Sequence, residues 1–200
     1  LNGQWDFLFD FGISGEERKF YLEENFDRQP VRKINVPFCP ESKLSGVEHK
    51  DFMGSVWYRR TFFVPDAWQG QRILLHFGAV DSECEVRVNG VPVGAHRGGF
   101  TAFTLDVSDV LREGENEITV LCRDEATRNE DPFGKQNDLR GGIWYTPQSG
   151  IWQTVWLESM PRAYIRALKI VPDAREKRVE IFAESDGEEI ALTVFDGKTE

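Results

Sequence analysis

The stretch ECEVRVNGVPVGAH, residues 83 to 96, constrains the fold more than any other feature of this chain. Cys84, Val86 and Val88 sit at a two-residue period, the spacing that puts side chains on one face of a strand. Asn89-Gly90 follows, a pair that accepts positive φ at the centre of a tight hairpin, and Val91 and Val93 lead back. Strand patterns recur in VWYRRTFFVP (56–65), RILLHFGAV (72–80), FTLDVSD (103–109), NEITVLCRD (116–124) and GIWQTVWLES (150–159). Clusters of Gly, Pro, Asn and Asp separate them at short intervals, as an antiparallel sandwich requires. No segment carries a convincing apolar stripe over three helical turns. The best candidate, Gly15 to Phe26, fits an exposed turn equally well. The expected fold class is all-β.

The last of these patterns raises a problem of cover. Three of the chain's six tryptophans fall between residues 144 and 156. Read as one strand, the segment puts Ile151, Val155 and Leu157 on one face and Trp152, Thr154 and Trp156 on the other. A half-exposed strand has one apolar and one polar face. This one has two apolar faces, so Trp152 and Trp156 are expected to pack under another layer or a following domain.

Composition excludes several classes of partner. The apolar content of 40%, with 12% aromatic, is ample for a core. A net charge of −10 argues against nucleic acid or an anionic membrane surface, both of which select basic proteins. No apolar run approaches the roughly 20 residues needed to span a bilayer as a helix. Cys39, Cys84 and Cys122 are scattered, with no C-x-x-C and no ligand-like spacing to the three histidines, so no metal or other cofactor is expected. Cys84 and Cys122 alternate with valines and isoleucine and read as small core residues. His49, His76 and His96 read as structural. The odd cysteine count points to reduced thiols and a cytoplasmic home. The chain opens on Leu1 rather than Met, so the lack of a leader within it says little.

Two stretches break the regular beat: Val36 to Gly54, and Asp124 to Gly150. Loops longer than about 12 to 15 residues in a compact domain are usually functional or disordered, and Phe133, Trp144 and Tyr145 argue against disorder in the second. A site is expected there. Pro161 then marks a domain boundary, giving domains at 1–160 and 161–200. The three strand patterns after it, in AYIRALKIVP, KRVEIFAES and EIALTVFDG, are too few for a seven-stranded sandwich and suggest a fragment. They leave Val179, Ile181, Ala183, Ile190, Leu192 and Val194 at strand spacing without partners. Such a row invites pairing with another copy, so a homo-oligomer is expected.

LNGQWDF at the start, VPFCPES, GSVWYRRTFFVP, the long block VNGVPVGAHRGGFTAFTLDVSDVLREGENEITV and SGIWQTVWLE resemble, in order, the opening of glycoside hydrolase family 2. That family includes β-galactosidases, β-glucuronidases and β-mannosidases. The resemblance implies a jelly-roll "sugar-binding" sandwich over 1–160, the first strands of an immunoglobulin-like sandwich after it, and a downstream (β/α)8 barrel as partner. It also implies retaining hydrolysis of terminal β-linked sugars by the whole enzyme, with β-galactosidase the leading activity. Both catalytic glutamates would lie in the barrel. No catalytic residue is therefore assigned here, and these 200 residues alone are expected to be inactive. An autonomous carbohydrate-binding module and a purely structural interaction sandwich are the alternatives.

Candidate contacts to the carbohydrate lie in the second loop. In β-galactosidases and β-glucuronidases an aspartate six residues before a Gly-Ile pair lends its carboxylate to the pocket. The position matching it here is Trp144, before Gly150-Ile151. An indole there offers a face for stacking on the C–H surface of a sugar. Asp131, Lys135 and Gln136, in DPFGKQ, offer donors and acceptors for hydroxyls. Asp131 and Gln136 join Trp144 as the substrate-binding candidates.

Overall fold

A computed structural model describes residues 1–51, 53–124, 134–137, 139–193 and 195. They form two compact units, Leu1–Glu158 and Ser159–Glu200. The strands are β1 (Gly3–Asp10), β2 (Arg32–Val36), β3 (Ser55–Phe63), β4 (Arg72–Phe77), β5 (Val80–Asp81), β6 (Glu83–Val88), β7 (Val91–Arg97), β8 (Phe103–Asp106), β9 (Glu115–Arg123), β10 (Gly150–Ile151), β11 (Val155–Met160), β12 (Ile165–Asp173) and β13 (Arg178–Ser185). Among the described residues the one α-helical turn, α1, is Glu23–Phe26.

The first unit is a sandwich. A six-stranded antiparallel sheet in the order β2-β1-β3-β9-β6-β7 faces a three-stranded sheet, β11-β4-β8, with the short β10-β5 pair beside them. Register sets the core. Tyr58 lies opposite Val120, and Val120 opposite Val86, so one row of side chains crosses three strands. These residues, with Trp5, Phe7, Ile34, Ile118 and Val88, pack against Ile73, Leu75, Phe77 and Val155 from the smaller sheet. Cys84 and Cys122 lie opposite one another within this core, and all three cysteines are free and buried. The β6–β7 hairpin forms as its Asn-Gly pair requires, with Asn89 at φ 53° and Gly90 at φ 78°.

The six-stranded sheet is also buried at the centre of its outer face. Leu8, Trp57 and Leu121 lie opposite one another on β1, β3 and β9, and Phe20 and Phe26 cover them. The cover is the excursion between β1 and β2. At its start the buried Asp10 carboxylate accepts the backbone N–H groups of Ser14 (3.0 Å) and Gly15 (2.8 Å), the Ser55 hydroxyl (3.1 Å) and the Trp57 indole (3.3 Å). Gly15 is wedged between Trp57, Phe20 and Asp10, where no side chain would fit. At its end the buried Arg59 guanidinium reaches Glu23 (2.9 Å), Asp27 (2.6 Å) and Glu117 (2.5 Å). Burial works against that charge, but the carboxylates outweigh it and raise the Arg59 pKa above the usual arginine value. The segment expected to be a helix or an exposed turn is thus mostly turn, with one helical turn whose apolar residues point inward.

The segment from Gly150 is not one strand. β10 ends at Ile151, residues 152–154 leave strand geometry, and β11 restarts at Val155. Ile151 and Val155 are fully buried, as the pattern requires. Trp152 is half-buried, donates its indole N–H to Gly99 O (2.8 Å) and meets Phe100 edge-on. Trp156 stays 38% exposed within this chain, with one ring face stacked on His76 at 4.7 Å. The kink at 152–154 parts the two indoles, giving each its own neighbour.

In the second unit β12 and β13 form an antiparallel hairpin, Ile170 opposite Ile181 and Lys169 opposite Phe182. Its turn is laced by Asp173, whose Oδ1 accepts the N–H groups of Arg175 and Glu176 (both 3.0 Å). The third expected strand does not form among the described residues 189–193, and Val194 lies outside them.

Candidate functional site

The described parts of the two long loops come together. In the first, the Ser42 hydroxyl accepts Leu44 N–H (3.1 Å) to cap a single 3-10 turn at Lys43–Ser45, and His49 N–H donates to Pro40 O (3.0 Å). This lacing folds the loop back on itself and directs Glu41 inward. In the second, Tyr145 pairs with the segment before it: its N–H donates to Lys135 O (2.8 Å) and its carbonyl accepts Asn137 N–H (3.0 Å). Gly141 and Gly142, at φ 128° and 61°, make the tight turn that presents Trp144, whose N–H closes onto Gly141 O (3.1 Å).

Two clasps join the loops. The outer one is exposed: Arg140 donates to Lys50 O and to Asp51 Oδ1 (3.0 Å). The inner one is buried. Glu41, 7% exposed, accepts the Ser149 hydroxyl (2.7 Å) on one carboxylate oxygen and the Ser149 N–H (3.3 Å) on the other. Burial raises the Glu41 pKa above the ordinary carboxylate value, with the Ser149 bonds opposing it. The neighbouring Cys39 thiol is pushed up to about 11 by burial and by Glu41. Behind Ser149, Gly150 at φ 72° passes so close to the Tyr58 hydroxyl that no side chain would fit, and Ile151 N–H donates to that oxygen (3.3 Å).

Trp144 is 41% exposed, with its neighbour Tyr145 more so. Gln136 runs beside Tyr145, and its Oε1 accepts Gln148 N–H (2.6 Å), which ties one end of that side chain to the loop. The structure therefore places Gln136 beside Tyr145, the residue that follows Trp144. Asp131 and Phe133 lie outside the described residues. The three histidines are placed structurally: His76 Nδ1 meets Thr104 Oγ1 (2.8 Å), His96 Nε2 meets Thr101 Oγ1 (3.0 Å), and His49 packs on Phe9. No group of His, Cys, Asp and Glu suited to a metal occurs among the described residues. An aromatic face with amide and backbone groups around it can bind a ring bearing hydroxyls; it supplies no nucleophile. Glu41, Ser149 and Arg140 were not legible as site residues, because no periodicity in a Pro-flanked loop marks one carboxylate as buried.

The family model described as "Glycosyl hydrolases family 2, sugar binding domain" matches residues 1–161. The chain belongs to glycosyl hydrolase family 2. Among curated relatives, a β-glucuronidase of Paenibacillus borealis is 35% identical over 136 residues, covering 68% of this chain and 22% of the relative. A β-galactosidase of Thermoanaerobacter pseudethanolicus is 28% identical over 182 residues, covering 90% of this chain and 23% of the relative. The solved β-glucuronidase of an uncultured Clostridium sp. superposes with a TM-score of 0.70 at 28% identity, over 94% of this chain and 34% of that one. The chain thus spans less than a quarter of the length of these curated relatives. The matched description makes this sandwich a sugar-binding domain of the family, with the exposed Trp144 carried on one of its loops.

Proposed function

We propose that this chain is the N-terminal scaffold of a retaining glycoside hydrolase acting on terminal β-linked sugars, and that its second loop forms one wall of the substrate pocket. A downstream barrel supplies the acid and the nucleophile. Trp144 stacks on the apolar face of the sugar ring, and Gln136 contributes an amide to its hydroxyls. The observation that carries this reading is the family match over 1–161 combined with an exposed indole held on a braced loop. Relatives named β-glucuronidase and β-galactosidase both occur, so the sugar is proposed only as a β-linked pyranose. Free, buried cysteines favour a reducing, cytoplasmic setting. The test is an assay of the polypeptide extended through a barrel, on nitrophenyl β-glucuronide and β-galactoside. Turnover by the extended protein and none by residues 1–200 is expected, with Trp144→Ala lowering kcat/KM. Full turnover in the Trp144→Ala variant would remove the loop from the pocket.

A second reading has one observation in its favour. Trp156 is an outward indole on the three-stranded sheet, the kind of platform an autonomous carbohydrate-binding module needs. Calorimetric titration of the 200-residue chain with methyl β-glycosides decides it. Saturable heat that disappears in Trp156→Ala would establish the module.

A further inference from the structure

The strap of chain from Arg140 to Ser149 is fastened at both ends to the first loop, at Lys50 and Asp51 by Arg140 and at Glu41 by Ser149. Between the fastenings lie Trp144 and Tyr145. The two clasps are physically unlike. Arg140 and Asp51 form an exposed pair, which competes with water and salt and contributes little. Glu41 is a buried carboxylate with no cation paired to it among the described residues, an arrangement that costs folding energy. Its surroundings are the Ser149 hydroxyl and N–H, the Cys39 thiol and, nearby, the Tyr58 phenol, the titratable groups facing it being neutral at pH 7. A glutamine in its place would spare that charge but could accept through only one of its two terminal atoms, whereas the carboxylate receives Ser149 through both oxygens. The carboxyl group thus sits at the one point where its two oxygens fix the strap in two directions.

We propose that Glu41 is a positioning residue: through Ser149 it sets the height and orientation of the strap that carries Trp144, and the Arg140 clasp is dispensable. Its catalytic consequence rests on the reading of Trp144 as a sugar contact; the mechanical claim does not. Serine is the right partner because its hydroxyl and backbone N–H emerge from one residue and grip both oxygens, and Gly150 immediately after it lets the chain turn past Tyr58 into β10.

The test uses the 200-residue chain labelled with 5-fluorotryptophan, the Trp144 resonance being assigned by its loss in Trp144→Phe. In Glu41→Gln and in Ser149→Ala, that resonance is expected to shift or broaden. Amide exchange at Trp144, Tyr145 and Gln148 should rise about tenfold, with the amides of β3 and β9 unchanged. The double variant should equal the larger single effect, since both substitutions open one clasp. Arg140→Ala, which removes both bonds of the outer clasp, should leave exchange within about twofold of wild type. Two results overturn the proposal: an unchanged strap in both single variants, or exchange that rises equally throughout β3 and β9, which makes Glu41 a general support of the sandwich. If Glu41→Gln does not fold, Ser149→Ala alone reads the same clasp. In the barrel-extended enzyme, unaffected kcat/KM in Trp144→Ala sinks the sugar-contact reading and leaves the strap result standing.

Discussion

β3 and β13 are both regular strands rich in apolar residues, yet they meet opposite fates. In β3 the first five residues, Ser55 to Arg59, are all buried: Val56 and Tyr58 against the smaller sheet, Trp57 and Arg59 under the outer cover. In β13 and its partner β12 no residue is buried, with Phe182 at 56% exposure and Leu168, Ile170 and Val179 similarly placed. Periodicity reports that a segment is a strand; it does not report what lies on either side of it. Burial of β3 on both faces depends on residues some thirty to fifty positions earlier, in an excursion that carries no strong pattern of its own.

The comparison predicts a steep gradient of mutational cost. Trp57→Ala should destabilise the sandwich by about 3 to 5 kcal/mol, the usual scale for truncating a buried large aromatic, whereas Phe182→Ala should stay within about 0.5 kcal/mol. Urea unfolding of both variants, followed on the sandwich transition, checks this. Equal losses would erase the distinction between the two strands. Arg59→Met comes next, at about 2 kcal/mol. Glu23 and Asp27 can return to water, so only the Glu117 carboxylate is stranded and the cost falls below that of a fully buried pair. A loss under 0.5 kcal/mol would mean that Phe20 and Phe26 hold the cover without it.

The two indoles near β11 should separate likewise. Trp152→Ala loses a hydrogen bond to Gly99 and partial burial, about 2 kcal/mol. Trp156→Ala loses mainly its stacking on His76, about 1 kcal/mol. Melting temperatures of the two variants rank them; the reverse order would show that the His76 stack is the stronger brace.

Glu41 gives the smallest effect, and its sign follows from the burial that raises its pKa. The folded state holds the proton more tightly than the unfolded one. Stability therefore falls as pH rises from the ordinary carboxylate value through the folded one. Glu41→Gln should lack that component, so its stability relative to wild type should grow across the same interval. Parallel curves from pH 4 to 8 would contradict the assignment.

The second unit offers a different kind of break. Its open faces favour self-association, and sedimentation of the chain against a version ending at Pro161 should show the longer form heavier at micromolar concentration. Two monomers would mean that the hairpin tolerates its exposed residues unaided.

How legible was this in the sequence? The β6–β7 hairpin, β3, β4, β8 and β9 were, because alternation and turn chemistry agree there. β1 was not recognised as a strand: GQWDFLFD places large apolar residues on both faces, so its period is hidden by the same outer cover that buries Leu8. β2 escaped because RKINV is short and its apolar positions are only two. Of the candidate site, Trp144 and Gln136 could be proposed from their position in the second loop. The clasps were not, since a bond between Glu41 and Ser149 joins residues 108 positions apart and leaves no local mark.

The outer cover also has a kinetic meaning. It is an insertion between two strands that pair directly, so β1 and β2 can find each other before it docks. A molecule caught at that stage shows the Leu8–Trp57–Leu121 stripe to solvent. Detachment of residues 11–31 would open that stripe to a protease and to a second molecule alike.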